Sequence, residues 1–180
     1  MEQKRYVQYA KRVLAVFLFV LLATIITGCG SAQHKVAFQQ NYTCPEGTKF
    51  AVGSVVNETG ATFDIDIEKM FADALAEELR KEDLLCKGDE KNRLTIMSKI
   101  IEYEKGNAFK RWLMPGWGGT VFSLQCDLKD EKNVTVGSAT ARRTVTAGGG
   151  YTIGAWKTIF ASVAKDLVKD LREQVTKQKS

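Results

Sequence analysis

Four cysteines, one histidine and scattered carboxylates are the residues of this 180-residue chain whose types could do chemistry. The thiols are Cys29, Cys44, Cys86 and Cys126, and no Cys-x-x-Cys or Cys/His spacing groups them into a metal set. His34 is the one histidine, five residues after Cys29 and away from the other thiols in sequence. A hydrolase would have to rest on carboxylates such as Glu102, Glu104 and Asp127, and their spacing gives no reason to pair one as acid with another as base. The run Gly148-Gly149-Gly150-Tyr151-Thr152-Ile153-Gly154-Ala155-Trp156-Lys157-Thr158 invites comparison with a phosphate loop, but Trp156 stands where glycine must precede the lysine. No catalytic residue, metal or cofactor is therefore expected, and the chain reads as a non-enzyme. The thiol with a chemical context of its own is Cys29.

Lys4, Arg5, Lys11 and Arg12 precede residues 13–26, fourteen residues in which Thr24 is the one polar side chain. A bilayer span needs about 20 apolar residues, so this run has the length of a secretory signal core instead. It ends in Ile26-Thr27-Gly28-Cys29, small residues followed by cysteine. These residues resemble the lipobox of bacterial lipoproteins. That resemblance implies a diacylated Cys29, removal of residues 1–28 and acylation of the new amine, with three acyl chains giving an effectively permanent anchor. Gly30 and Ser31 follow where inner-membrane retention usually has Asp, so the expected location is the outer membrane, periplasmic face.

Removing the signal leaves 152 residues, enough for a single domain with a sizeable core. It also lowers the formal net charge from +5 to about +2, since the signal carries four cations against Glu2. No nucleic-acid footprint is left. An oxidising periplasm allows one disulfide among Cys44, Cys86 and Cys126. Cys126 falls on the apolar side of the alternating run Phe122, Leu124, Cys126, Leu128, so Cys44 and Cys86 are the expected pair.

Residues 30–43 are rich in Gln, Asn and Ser and show no sustained period, so with Cys29 they read as a lipidated tether, 29–43, with His34 inside it. Fourteen such residues span roughly 20 Å, which would let the domain hover beside the membrane. Residues 44–176 form the predicted domain and 177–180 a polar tail. Residues 49–57 are apolar on both alternating sets, as in a central strand. Asp64 or Asp66 can cap a helix carrying Ile67, Met70, Phe71, Ala74, Leu75 and Leu79 and ending near 84–85. Strands are expected over 93–103, 120–129 and 134–146, and a long amphipathic helix carries Trp156, Ile159, Phe160, Val163, Leu167, Leu171 and Val175. The fold class is α+β, a mixed sheet of about four strands with two helices packed on one face, in the order strand-helix-strand-strand-strand-helix. The first two strands should be parallel and the last three an antiparallel meander. This order brings Cys44 and Cys86 to one end of the sheet and loops 105–119 and 147–154 to the other.

Residues 105–119 hold Phe109, Lys110, Arg111, Trp112, Leu113, Met114 and Trp117 in a connection longer than most hairpins need. One reading is an exposed contact surface built on Phe109, Arg111, Trp112, Leu113 and Trp117, residue types that dominate binding energetics. The other is a lid folded over an open end of the core. Arg142 and Arg143 are adjacent on a strand, so one of the two faces each side, and ion pairs suit them better than a shared anion.

From residue 49 to the last helix the chain resembles a family of bacterial lipoproteins catalogued as domain of unknown function 4410. Phe71-Ala72-Asp73-Ala74-Leu75 before Leu79, Gly106-Asn107-Ala108-x-Lys110-Arg111-Trp112-Leu113 with Gly116-x-Gly118-Gly119, and the glycine step at 148–150 carry the resemblance. The family is similar to the α+β domain of the curli-secretion channel lipoprotein and the N-terminal domain of TolB, and it implies the same strand-helix order without catalytic residues. The chain lacks the long alternating segments of a membrane barrel. The expected function is a non-enzymatic outer-membrane lipoprotein that docks an envelope assembly or secretion partner through its Trp112/Trp117 end. The alternative is a periplasmic module binding lipid or glycan between the two glycine-rich loops. Homo-oligomerisation is compatible with the sequence and has no support in it.

Overall fold

The computed structural model describes residues 31–88, 90–114, 117–146 and 154–177. Five strands form one mixed sheet: β1 (Ala32–Phe38), β2 (Lys49–Asn57), β3 (Arg93–Glu104), β4 (Thr120–Lys129) and β5 (Thr135–Val145), ordered β1-β5-β4-β3-β2. The helices are α1 (Ile67–Lys81), α2 (Ala108–Leu113) and α3 (Ala155–Lys177). The predicted α+β order holds from β2 onward: β2 and β3 are parallel and joined through α1, and β3, β4 and β5 form the antiparallel meander, but β2, expected as a central strand, is the edge opposite β1, its apolar residues on both sets notwithstanding. Cys29 and the glycine step 148–150 lie outside the described residues, so the expectation that loop 147–154 meets loop 105–119 does too.

The sheet has five strands because residues 32–38 are a strand and no tether. β1 pairs antiparallel with β5 along its whole length, from Ala32 opposite Arg143 to Phe38 opposite Gly137. Gln33, His34 and Lys35 give β1 a polar stretch, as an edge strand allows, and only Val36 is fully buried in it. Its backbone groups satisfy the otherwise open edge of β5, the physical gain that polarity hides. Gly137 makes the approach possible: a Cβ there would sit 2.9 Å from the Ala37 carbonyl oxygen and 2.9 Å from the Phe38 ring. His34, on this strand, has Nδ1 2.7 Å from an Asp170 carboxylate oxygen on α3. After β1, residues 39–48 cross the far end of the sheet to reach β2, held by Gln39 N–H donating to Val136 and Asn92 Nδ2 donating to Glu46.

α1 and α3 pack on one face of the sheet. Asp66 caps α1 by accepting from the Lys69 amide at 2.8 Å, while Asp64 pairs instead with Lys105 at 2.7 Å. Ile67, Phe71, Leu75 and Leu79 form the buried stripe of α1. The helix stops at Lys81, before the predicted 84–85, because Asp83 turns to positive φ and frees Leu85 to bridge Phe50. At the centre, Phe122 meets Phe160 at 4.8 Å and Phe71 at 5.4 Å between ring centroids, and Phe160 meets Tyr103 at 5.4 Å. A bulge between Ile100 and Glu102 shifts the alternation of β3, so Leu94, Ile96, Ser98 and Ile100 are followed on the core side by Tyr103. Burial pushes the Tyr103 hydroxyl up to about 12.

Among the described residues no disulfide joins Cys44 to Cys86, the pair expected from the sequence. The two do share one end of the sheet, since the Cys86 amide donates to Phe50 and Cys44 lies in the crossing that leads to β2. Sharing an end does not set sulfur geometry. Cys44 is buried in the core, whereas Cys86 is partly exposed beyond the β2 edge with its thiol 3.0 Å from the Gly88 carbonyl oxygen. Cys126 is a buried small hydrophobe, as expected, 3.3 Å from the Ser98 hydroxyl. Burial raises Cys44 to about 11 and Cys126 to about 12.

Two outcomes follow. Phe122→Ala should lose about 3–5 kcal/mol in urea unfolding, against less than about 0.5 kcal/mol for Val134→Ala on the exposed β4–β5 turn. Alkylation of the folded protein at pH 8 should modify Cys86 ahead of Cys44 and Cys126, because buried thiols held protonated are poor nucleophiles; mass mapping of modified peptides reads this directly.

Candidate functional site

The loop between β3 and β4 is a closed, tied turn. The Asn107 amide donates to the Gly118 carbonyl at 2.9 Å, and the Thr120 hydroxyl donates to the Lys105 carbonyl at 2.9 Å, so the two arms are joined twice at the base. Asn107 Oδ1 caps α2 by accepting from the Lys110 amide at 3.1 Å. The Met114 amide then returns to Lys110 and the Trp117 amide to Met114. Gly118 is required here: its φ is +69°, and a Cβ would lie 2.7 Å from Lys110 Cβ.

With its backbone tied this way, the turn projects its apolar side chains outward. Phe109, Trp112, Leu113, Met114 and Trp117 are between 49% and 67% exposed, and the Phe109 and Trp112 rings stack at 6.0 Å. The loop is thus not a lid over the core. Lys110 Nζ lies 5.2 Å from the Trp117 ring centroid. Of the five candidates, Phe109, Trp112, Leu113 and Trp117 are brought to this surface, and Arg111 lies on the same short helix with its side chain outside the described part. Trp156, expected in the core, is half-buried, with Lys105 and Lys157 at 4.8 and 5.0 Å from its ring centroid.

The N-terminal strand comes to this same end of the sheet. Successive pairings place Ala32, Arg143, Phe122 and Tyr103 in one row across β1, β5, β4 and β3. One residue beyond that row the Thr144 amide donates to the Ser31 carbonyl at 2.8 Å, and Gly119 packs beside Val145 and Thr146. Ser31, two residues after Cys29 in sequence, therefore lies at the end that carries the aromatic turn. No sequence period signals this, because it depends on β1 pairing with the last strand.

Of the candidate carboxylates, Glu102 and Asp127 are not brought together. Both Glu102 oxygens accept from Arg142, at 2.9 and 3.2 Å, on the sheet face away from the helices, while Arg143 on the other face bonds Asp166 at 2.7 Å. This is the division expected for adjacent arginines on a strand. Glu102 is opposite Ser123 and Asp127 is four residues further along β4, roughly 13 Å away at strand spacing. Among the described residues no cluster of His, Cys, Asp and Glu could hold a metal ion, and no helix is long and apolar enough to cross a membrane. The open face carries a shallow groove of about 250 Å³, bordered by Gln33, Lys35, Ile101, Gln125, Thr140 and Arg142.

Among solved structures, the chain is similar to a dodecamer of PelC from Paraburkholderia phytofirmans, at 17% identity over 78% of this chain and 97% of that one, with a TM-score of 0.55. A point variant of the same PelC aligns at 19% identity over 77% and 97%, with a TM-score of 0.53. A Xanthomonas campestris protein of the family DUF330 aligns at 12% identity over 80% and 96%, with a TM-score of 0.47. At these identities the PelC likeness establishes the fold. No curated protein matches the chain. Residues 64–149, from the turn before α1 to just past β5, match the family model described as Domain of unknown function (DUF4410), the family that the chain's own motifs resemble.

Proposed function

We propose that the protein is a lipid-anchored, non-enzymatic accessory of the bacterial envelope, held at the periplasmic face of the outer membrane through Cys29, and that it works by contact through its aromatic end. The observation that carries this reading is the outward projection of five large apolar side chains from a turn closed at its base. An exposed patch of that kind on a tied backbone loses hydrophobic free energy in water and little conformational entropy on docking, the balance that suits a binding surface. The ionisable groups support a non-catalytic role by their engagements: His34 with Asp170, Glu102 with Arg142, Arg143 with Asp166.

A second reading, glycan binding, has its support in the groove on the open sheet face, whose amide, hydroxyl and cationic lining differs from the cleft first expected between the glycine-rich loops. Calorimetric titration with envelope oligosaccharides tests it: heat that is lost in Gln125→Ala would favour the groove over the aromatic end.

For the leading reading, a photo-crosslinking residue is placed at Trp117 in the native envelope and a second at Lys87, at the opposite end, as control. Adducts from position 117 and none from position 87 are expected, and Trp112→Ala should reduce them. An unreactive position 117 would remove the aromatic end as a contact surface.

A further inference from the structure

The occupant of the aromatic end can be argued from where the chain leaves the domain. Ser31 is hydrogen-bonded to Thr144, and only Gly30 separates it from Cys29, so the Cys29 Cα lies within about 7 Å of Ser31. The strand row through Ala32, Arg143, Phe122 and Tyr103 puts β1 three strand spacings from β3, roughly 14 Å at the usual separation. The aromatic turn leaves β3 just beyond that row. An acylated cysteine on so short a lead would bring this end of the sheet down against the surface of its own membrane.

The chemistry of the turn suits that surface. Residues 105–119 contain Lys105, Lys110 and Arg111 and no carboxylate, a cationic balance that complements lipid phosphates. Trp rings with cations beside them favour the headgroup region, where the ring is half in hydrocarbon and the charge stays hydrated. Lys110 is held over Trp117 in that arrangement. Because the anchor would already hold the domain at the surface, the turn would meet lipid at millimolar effective concentration and needs little affinity of its own.

We infer that Phe109, Trp112, Leu113, Met114 and Trp117 lie in the headgroup region of the membrane that holds Cys29, a second and non-covalent contact that fixes the strands upright on the bilayer. This deepens the proposed function and rests on it, both for the acylated Cys29 and for the aromatic turn as the contact surface. The bilayer is the occupant, and the open sheet face is left turned sideways, free of lipid.

The test uses the full lipidated protein, purified from membranes and reconstituted in vesicles of phosphatidylethanolamine and phosphatidylglycerol, with or without bromine on the acyl carbons nearest the headgroup. Trp156→Phe leaves Trp112 and Trp117 as the reporters, and the unsubstituted protein is measured beside it in case that variant folds poorly. Quenching by the brominated lipid and a blue-shifted emission are expected, with no quenching of a tryptophan introduced by Lys87→Trp in a chain whose own three are replaced by Phe. Equal emission in both vesicle types from the reporters would overturn the inference. If position 117 then still forms a protein adduct in the native envelope, the contact reading stands with a protein occupant; if it forms none, both fall.

Discussion

The antiparallel pairing of β1 with β5 is the constraint on which the arrangement of this protein depends. Seven register pairs join the two strands, and they turn a four-stranded sheet with an open edge into a five-stranded one. The pairing demands a position without a side chain at Gly137, where Ala37 and Phe38 come too close for any Cβ. It also forces the following ten residues to cross the whole far end of the sheet before β2 can begin, which buries Cys44 and stacks Tyr42 on Phe38. Burial, together with the nearby Cys44 and Asp130, raises the Tyr42 hydroxyl above its ordinary value. Ser31, the first described residue, then lies at the end of the sheet opposite that crossing.

Inside this frame the two faces of the sheet have different physical jobs. The helix side is apolar and closed: Phe71, Phe122, Phe160 and Tyr103 interlock where α1 and α3 approach the centre of the sheet. The other side is polar, with Gln33, Lys35, Gln125, Thr140 and the Arg142–Glu102 pair, as an antiparallel region with one solvated face should be. Ion pairs of such exposure contribute little to stability, so the fold stands on the aromatic cluster and the packing of the helices.

The aromatic turn departs from the pattern of the rest of the molecule. Elsewhere among the described residues the exposed large apolar side chains are Val56, Ile101 and Val134; here five face solvent within one short turn, although Asn107, Gly118 and Thr120 hold the backbone in a closed form. Local violations of consistency concentrate where function needs them. A turn that merely connected two antiparallel strands would need neither two hydrogen-bonded closures nor a capped six-residue helix. The turn lies at the same end of the sheet as the first described residues, Ser31 and Ala32.

By itself the sequence determined the elements whose hydrophobic period is strong: β2, α1, β3, β4, β5 and α3, the parallel crossover between the first two, the meander after them, and the burial of Cys126. Alternation and helical spacing are local, and burial on one face follows from them directly. Tertiary structure alone decided the rest. Residues 32–38 are a strand because an edge of β5 lies open to their backbone, and backbone pairing leaves no mark on side-chain polarity. The parity of β3 changes at a bulge that no side chain announces. Cys44 and Cys86 share an end of the sheet because topology fixes which end a residue occupies, but it does not fix the orientation of a sulfur. Whether Trp112 and Trp117 faced the core or the solvent was open for the same reason: residue type supplies the apolar surface, and only the tied backbone of residues 105–120 directs it outward.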